Sequence, residues 1–153
     1  MINIRPHHLI DIVSDYGHGI RYTPHPYDHA LHTVAAQLIG DLDAQVEFVL
    51  AADDICAPCR YLIPDGRCTD VLSQLADRPS KQTYNDALDG KLFAYFDMQP
   101  GTQITVRAFL TRLGERTPGV EEICTHPGEK QGDRLNGLRN GLAKLGITNP
   151  TSS

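Results

Sequence analysis

Three of the four cysteines in this 153-residue chain fall within thirteen positions, in Asp53-Asp54-Ile55-Cys56-Ala57-Pro58-Cys59 and then Pro64-Asp65-Gly66-Arg67-Cys68. The fourth, Cys124, lies far downstream in Glu121-Glu122-Ile123-Cys124. A Cys-x-x-Cys turn directs two thiolates at one ion or cluster because its two intervening residues form a tight turn, here stiffened by Pro58. The Asp65-Gly66 pair lets the chain reverse and bring Cys68 back towards the first two thiolates. One loop then supplies three ligands, and Cys124 closes the set.

Two other uses of the cysteines are weaker. Disulfides belong to oxidising compartments, and no positively charged leader followed by an apolar core opens the chain. A thioredoxin-like redox pair needs the Cys-x-x-Cys to open a helix after a buried strand; residues 46–52 could be that strand, but Cys68 and Cys124 would have no role.

The length fits one domain with one core, so residues 1–147 are expected to form a single metal-binding domain and residues 148–153 a flexible tail. No apolar run approaches the eighteen or so residues of a membrane span, so no membrane association and a cytoplasmic location are expected. The formal charge of −5, with Lys and Arg scattered rather than striped, gives no footprint for nucleic acid.

Ile2-Asn3-Ile4 alternates apolar and polar and reads as a short strand stopped at Pro6. A helix follows over residues 8–16, with Leu9, Ile10, Ile12 and Val13 inward and Gly17 and Gly19 at its end. His7 and His8 then sit at a strand-to-helix junction, and Asp11 falls one turn further on roughly the same face. Thr23-Pro24 reads as the start of a helix running to about Ile39, which would line up His25, His29 and His32 on one face. Such a row could bind a metal ion or simply be a solvated helix face.

Residues 44–52 form the clearest strand, and it delivers Asp53-Asp54 to the cysteine loop. Helices are expected over 69–76, over 85–98 with an interruption at Gly90, over 103–114 and over 133–145. Two short strands and five or six helices make a mostly helical α+β domain, with a small two-stranded sheet next to a cysteine-rich metal loop.

Together Arg5-Pro6-His7-His8-Leu9, Asp53-Asp54-Ile55-Cys56-x-x-Cys59, Cys68, a Pro-Gly turn before Ile104-Thr105-Val106-Arg107, and Ile123-Cys124 come in the order of a known family. The chain resembles the domain-of-unknown-function family 1284, small prokaryotic proteins held to bind iron–sulfur clusters. The likeness spans residues 2–125, and its specific parts are the Arg-Pro-His-His-Leu and Asp-Asp-Ile-Cys strings. The family has a cysteine where Asp11 stands here. Its late Ile-Cys opens a second Cys-x-x-Cys before a tryptophan, whereas this chain has Pro127 at the second position and no Trp.

One complete set of four remains: Cys56, Cys59, Cys68 and Cys124. A structural zinc ion is usually held by two short-spaced ligand pairs, whereas a cubane cluster accepts irregular spacing because each thiolate binds a separate iron. Spacing alone leaves zinc and cluster even; the resemblance favours [4Fe–4S]. The expected function is redox, electron transfer or sensing, with a redox partner or a small molecule as the other party. If Cys124 stays away, an open iron with His7 and His8 as proton-handling groups would make a small enzyme, with Asp11 a further candidate as a hard oxygen ligand or as an acceptor that orients a histidine. A zinc-stabilised interaction domain is the third reading. Hydrogen-bonded structural histidines are the alternative for His7 and His8, and a surface carboxylate for Asp11.

Overall fold

The computed structural model describes residues 1–22, 30–50, 53–55, 81–125 and 129–147. In chain order these carry β1 (Ile2–Ile4), α1 (Pro6–Gly17), α2 (Leu31–Gly40), β2 (Gln45–Phe48), α3 (Lys81–Tyr95), β3 (Gln103–Thr105), α4 (Val106–Glu115), α5 (Glu121–Cys124) and α6 (Asp133–Lys144). The fold is mostly helical α+β with a small sheet, as the hydrophobic patterning implies. The expected helix over 69–76 and the tail after residue 147 lie outside the described residues.

The sheet has three strands rather than two, in the order β1-β2-β3. β1 runs parallel to β2, with Ile2 opposite Val46 and Ile4 opposite Phe48, while β3 runs antiparallel on the other side of β2. The third strand comes from residues expected to begin a helix at Gln103. The helix starts instead at Val106, because Thr105 takes extended backbone angles and its side-chain oxygen accepts the Ala108 N–H at 3.1 Å, a helix N-cap. Three residues before that cap are enough to pair with β2.

Other boundaries shift for similar local reasons. α1 starts at Pro6, whose missing N–H is no loss at the first helical position, so His7 and His8 lie inside the first turn. α3 passes through Gly90 without interruption; a lone glycine costs only about 1 kcal/mol against alanine, and Leu88, Leu92 and Phe93 on either side are buried. α2 begins at Leu31, after a non-helical Ala30, and the expected start at Thr23-Pro24 lies outside the described residues. Of the proposed histidine row only His32 is in that helix, and His25 and His29 lie outside the described residues.

The core forms where β2, α1, α3, α4 and α6 meet. Phe48 of β2 meets Phe109 of α4 edge-on at 4.8 Å between centroids, and Phe109 meets Phe96 at 5.2 Å. α1 and α6 approach so closely that a Cβ on Gly141 would overlap the Val13 carbonyl oxygen, and one on Gly17 the Gly137 carbonyl oxygen. Glycine at Gly17, Gly137 and Gly141 therefore sets the depth at which α6 lies against α1. Among the described residues, no helix is long and apolar enough to cross a membrane.

Candidate functional site

Because β1 and β2 are parallel, both strands end on one edge of the sheet. β1 passes there into α1, and the chain leaving β2 reaches Asp53. Residues 53–55 are fastened to the β1 side of this edge. Asp54 donates its N–H to the Asn3 carbonyl at 3.0 Å, and its carboxylate accepts the Asn3 N–H at 2.9 Å. The Asp53 carboxylate is buried and accepts the Arg5 N–H at 2.7 Å and the Ile55 N–H at 3.0 Å. The Ile55 carbonyl in turn accepts the Ala30 N–H at 2.8 Å, so residue 55 is tied to the approach of α2 as well.

His8 adds a third donor to Asp53, its Nδ1 lying 2.6 Å from Oδ2. His7 makes a matching pair with Asp89 of α3. Its backbone N–H and ring Nδ1 both meet the Asp89 carboxylate at 2.9 Å. Each carboxylate already accepts a backbone N–H, so the ring Nδ1 is the donor in both pairs and the lone pair of a neutral ring sits on Nε2. The two imidazoles lie 4.3 Å apart, centroid to centroid. Arg5 closes the cluster from the other side, its guanidinium donating to Asp89 at 3.0 Å and to Asp86 at 2.8 Å. Asp89 is fully buried, and its charge is answered by Arg5 and by the two His7 donors.

These surroundings push the two histidines apart. Burial, and then the neighbouring His8 charge, holds His7 below the ordinary value of 6.5 in spite of Asp89. Burial acts against charge on His8 too, but there the charge and hydrogen bond of Asp53, with Asp11 and Asp89 behind it, prevail and raise it. His7 therefore gives up its proton at lower pH than its neighbour His8 does. Adjacent titratable groups driven in opposite directions are the arrangement used for paired base and acid. His7 is almost completely enclosed, whereas the His8 side chain keeps 16% of its surface exposed.

Asp11 is no bare surface carboxylate. It pairs with Arg134 of α6 at 2.7 Å, and Arg134 holds Glu129 at 2.6 Å on its other side. Cys124, the last residue of α5, is fully buried near this triad. Burial pushes its thiol up to about 12, while Arg134 pulls the other way and Asp11 and Glu129 add to the rise. Cys56, Cys59 and Cys68 lie outside the described residues, so the convergence of four sulfurs is an expectation carried forward. Among the described residues, no three histidine, cysteine or acidic side chains form a metal-holding group by themselves.

Sequence reading singled out His7, His8, Asp11, Asp53, Asp54 and Cys124 and missed Asp86, Asp89, Glu129 and Arg134. Two of these carried a signal. Asp89 lies on the α3 face of Leu92, Phe93 and Phe96, and Arg134 on the α6 face of Leu138 and Leu142. A charge on an apolar face marks a buried partner elsewhere.

No family model matches the chain, and neither does any curated protein or solved structure.

Proposed function

We propose that this chain binds an iron–sulfur cluster, [4Fe–4S], through Cys56, Cys59, Cys68 and Cys124, and serves as a redox, electron-transfer or sensing module. One observation carries the reading: α1 is tied through His8 to the root of the cysteine segment and through Asp11 to the Arg134 whose charge acts on the buried Cys124. Residues 53–55 are bonded to Asn3, Arg5 and His8, and Asp11, one turn on from His8, grips the Arg134 whose charge acts on Cys124. Cys56 follows Ile55 directly in the sequence. The order of the Arg-Pro-His-His-Leu and Asp-Asp-Ile-Cys strings, through the family resemblance, supports the same reading.

The donor set fits such a group. A ligating thiol must lose its proton, and Arg134 is a cation placed to stabilise the resulting negative charge on Cys124. Arg134 is itself held by two carboxylates, Asp11 and Glu129, which leaves the triad with one net negative charge. A bound cluster with four cysteine ligands would supply reversible one-electron transfer. Zinc on the same four thiolates would instead give a stabilised interaction domain.

A second reading is favoured by the histidine pairs. Two imidazoles with carboxylate-fixed tautomers and oppositely shifted proton affinities, one of them bonded to Asp53, suit a small enzyme in which His7 and His8 would handle protons near an open iron. Anaerobic purification with an absorption spectrum and iron, sulfide and zinc analysis separates these readings. Iron and sulfide in equal amounts, about four of each per chain, support the four-cysteine cluster. Zinc without sulfide would replace it with the interaction domain.

A further inference from the structure

We propose that the His8–Asp53 pair is a protonation-dependent clasp: charged His8 holds Asp53, and with it the residues that lead into Cys56, against the β1–α1 junction. Loss of the His8 proton loosens that hold. The geometry behind this is the convergence on Asp53 of the Arg5 N–H at 2.7 Å, the Ile55 N–H at 3.0 Å and the His8 ring at 2.6 Å. Of the three donors only His8 changes charge between acid and alkaline solution. Asp53 is buried, so its negative charge depends on protein partners, these three among them, rather than on water.

The groups facing His8 set the direction. Asp53 meets it from the segment after β2, Asp89 from α3, and Asp11 and His7 from α1 itself. Three of these four are carboxylates, which favour the charged ring, and burial disfavours charge on the fourth, His7. The Arg5 guanidinium is taken up by Asp86 and Asp89. The clasp is therefore firm on the acid side of the His8 titration, which lies above the ordinary value, and weakens as pH rises through it. By linkage, anything that orders residues 53–55 also tightens the His8 proton. Metal loading of the cysteine segment would do so, a consequence that rests on the function proposed above.

The test uses the full-length protein as purified, with iron and sulfide assayed on the same sample. Backbone deuterium exchange of peptides covering residues 53–55 is followed by mass spectrometry from about pH 6 to about pH 9, corrected for the intrinsic exchange rate. Exchange at the His8 ring C2 position, read from the same runs, reports the protonation of His8 itself. Protection over 53–55 is expected to fall about tenfold with rising pH, at the midpoint of the His8 titration. In His8→Gln, which keeps a neutral donor, protection should stay at the low level throughout. Flat protection in the wild-type protein, a fall that does not coincide with the His8 titration, or the same fall in His8→Gln overturns the clasp. If His8→Gln does not fold, the coincidence of the two wild-type midpoints decides. A sample without iron, sulfide or zinc counts against the proposed function and leaves the exchange result to judge the clasp.

Discussion

Asp89 of α3 grips His7 of α1 twice, through the backbone N–H and through ring Nδ1, each at 2.9 Å and across 82 positions of sequence. The same carboxylate receives the Arg5 guanidinium at 3.0 Å. One fully buried acid thus fixes the first turn of α1, the imidazole tautomer of His7 and the packing of α3 on the sheet edge.

Removing one member of a buried charge set leaves the others uncompensated, at a cost of about 3–5 kcal/mol. Asp89→Ala is therefore expected to lower the free energy of unfolding by that amount, because Arg5 loses one of its two carboxylates and His7 loses the carboxylate that holds its backbone N–H and ring. Asp86 bonds the same guanidinium, but its side chain is 39% exposed, so Asp86→Ala should cost under about 1 kcal/mol. Urea denaturation of the two variants side by side checks this. Equal losses would mean that Asp89 is no more than another surface acid.

The α1–α6 contact gives a second contrast, between glycines. A Cβ on Gly141 overlaps the Val13 carbonyl, a backbone atom that cannot rotate away, whereas one on Gly90 meets nothing within 4 Å. Gly141→Ala should destabilise by about 1–3 kcal/mol through overpacking. Gly90→Ala, at a half-buried helical position with open space for a Cβ, should stabilise by about 0.5–1 kcal/mol. Thermal melts of the pair report it, and a neutral Gly141→Ala would show that α6 can slide off α1 without loss.

Much of this architecture is readable from local pattern. The apolar stripes of α1, α4 and α6, the parallel-strand logic that brings the Asp53 root beside His8, and the grouping of His7, His8 and Asp53 all follow from periodicity and chain order. β3 was not readable as a strand because three residues are too few to show alternation, and Ile104-Thr105-Val106 runs straight into a helical stripe. The start of α2 was placed on Thr23-Pro24, a strong capping signal, whereas its described first residue is Leu31. Asp89 and Arg134 were missed as site residues for a different reason. Nothing local says which of several acids answers Arg5, or that Asp11 meets an arginine 123 positions away. Such pairings are decided by how α3 and α6 pack, and only the packed structure names them.

The two histidines predict opposite pH dependences of stability. In the unfolded chain both start from 6.5. His7 is lower in the folded state, so the unfolded chain binds more protons. Its contribution is present above the unfolded value and is lost as pH falls towards the folded value. His8 is higher in the folded state. Its contribution is fully present below the unfolded value and lost as pH rises through the folded value. Wild-type stability should therefore fall on both sides of a window around the shared unfolded value of 6.5, and His8→Gln should lose the alkaline fall and keep the acid one. Urea midpoints from about pH 5 to about pH 8.5 measure the two limbs. An alkaline fall undiminished in His8→Gln would assign it to another group.

Cys124 decides whether the proposed centre has four protein ligands or three. Its burial is complete and its thiol is pushed up to about 12, so without metal it packs as a small apolar residue at the end of α5. Cys124→Val keeps size and apolarity, and a volume-conserving exchange in a core costs less than about 1.5 kcal/mol. Fold and ligation can then be separated. If Cys124 is a ligand, Cys124→Val should fold as the wild-type protein does when freed of metal, yet lose iron and sulfide to the extent that Cys59→Ser does. If the centre is held by Cys56, Cys59 and Cys68 alone, Cys124→Val should keep its full iron content, and an added small thiol should then alter the spectrum of wild type and variant alike by filling the open position. Full iron retention in Cys124→Val would therefore overturn the closed four-cysteine centre and move the weight to the reading in which His7 and His8 handle protons beside an open iron.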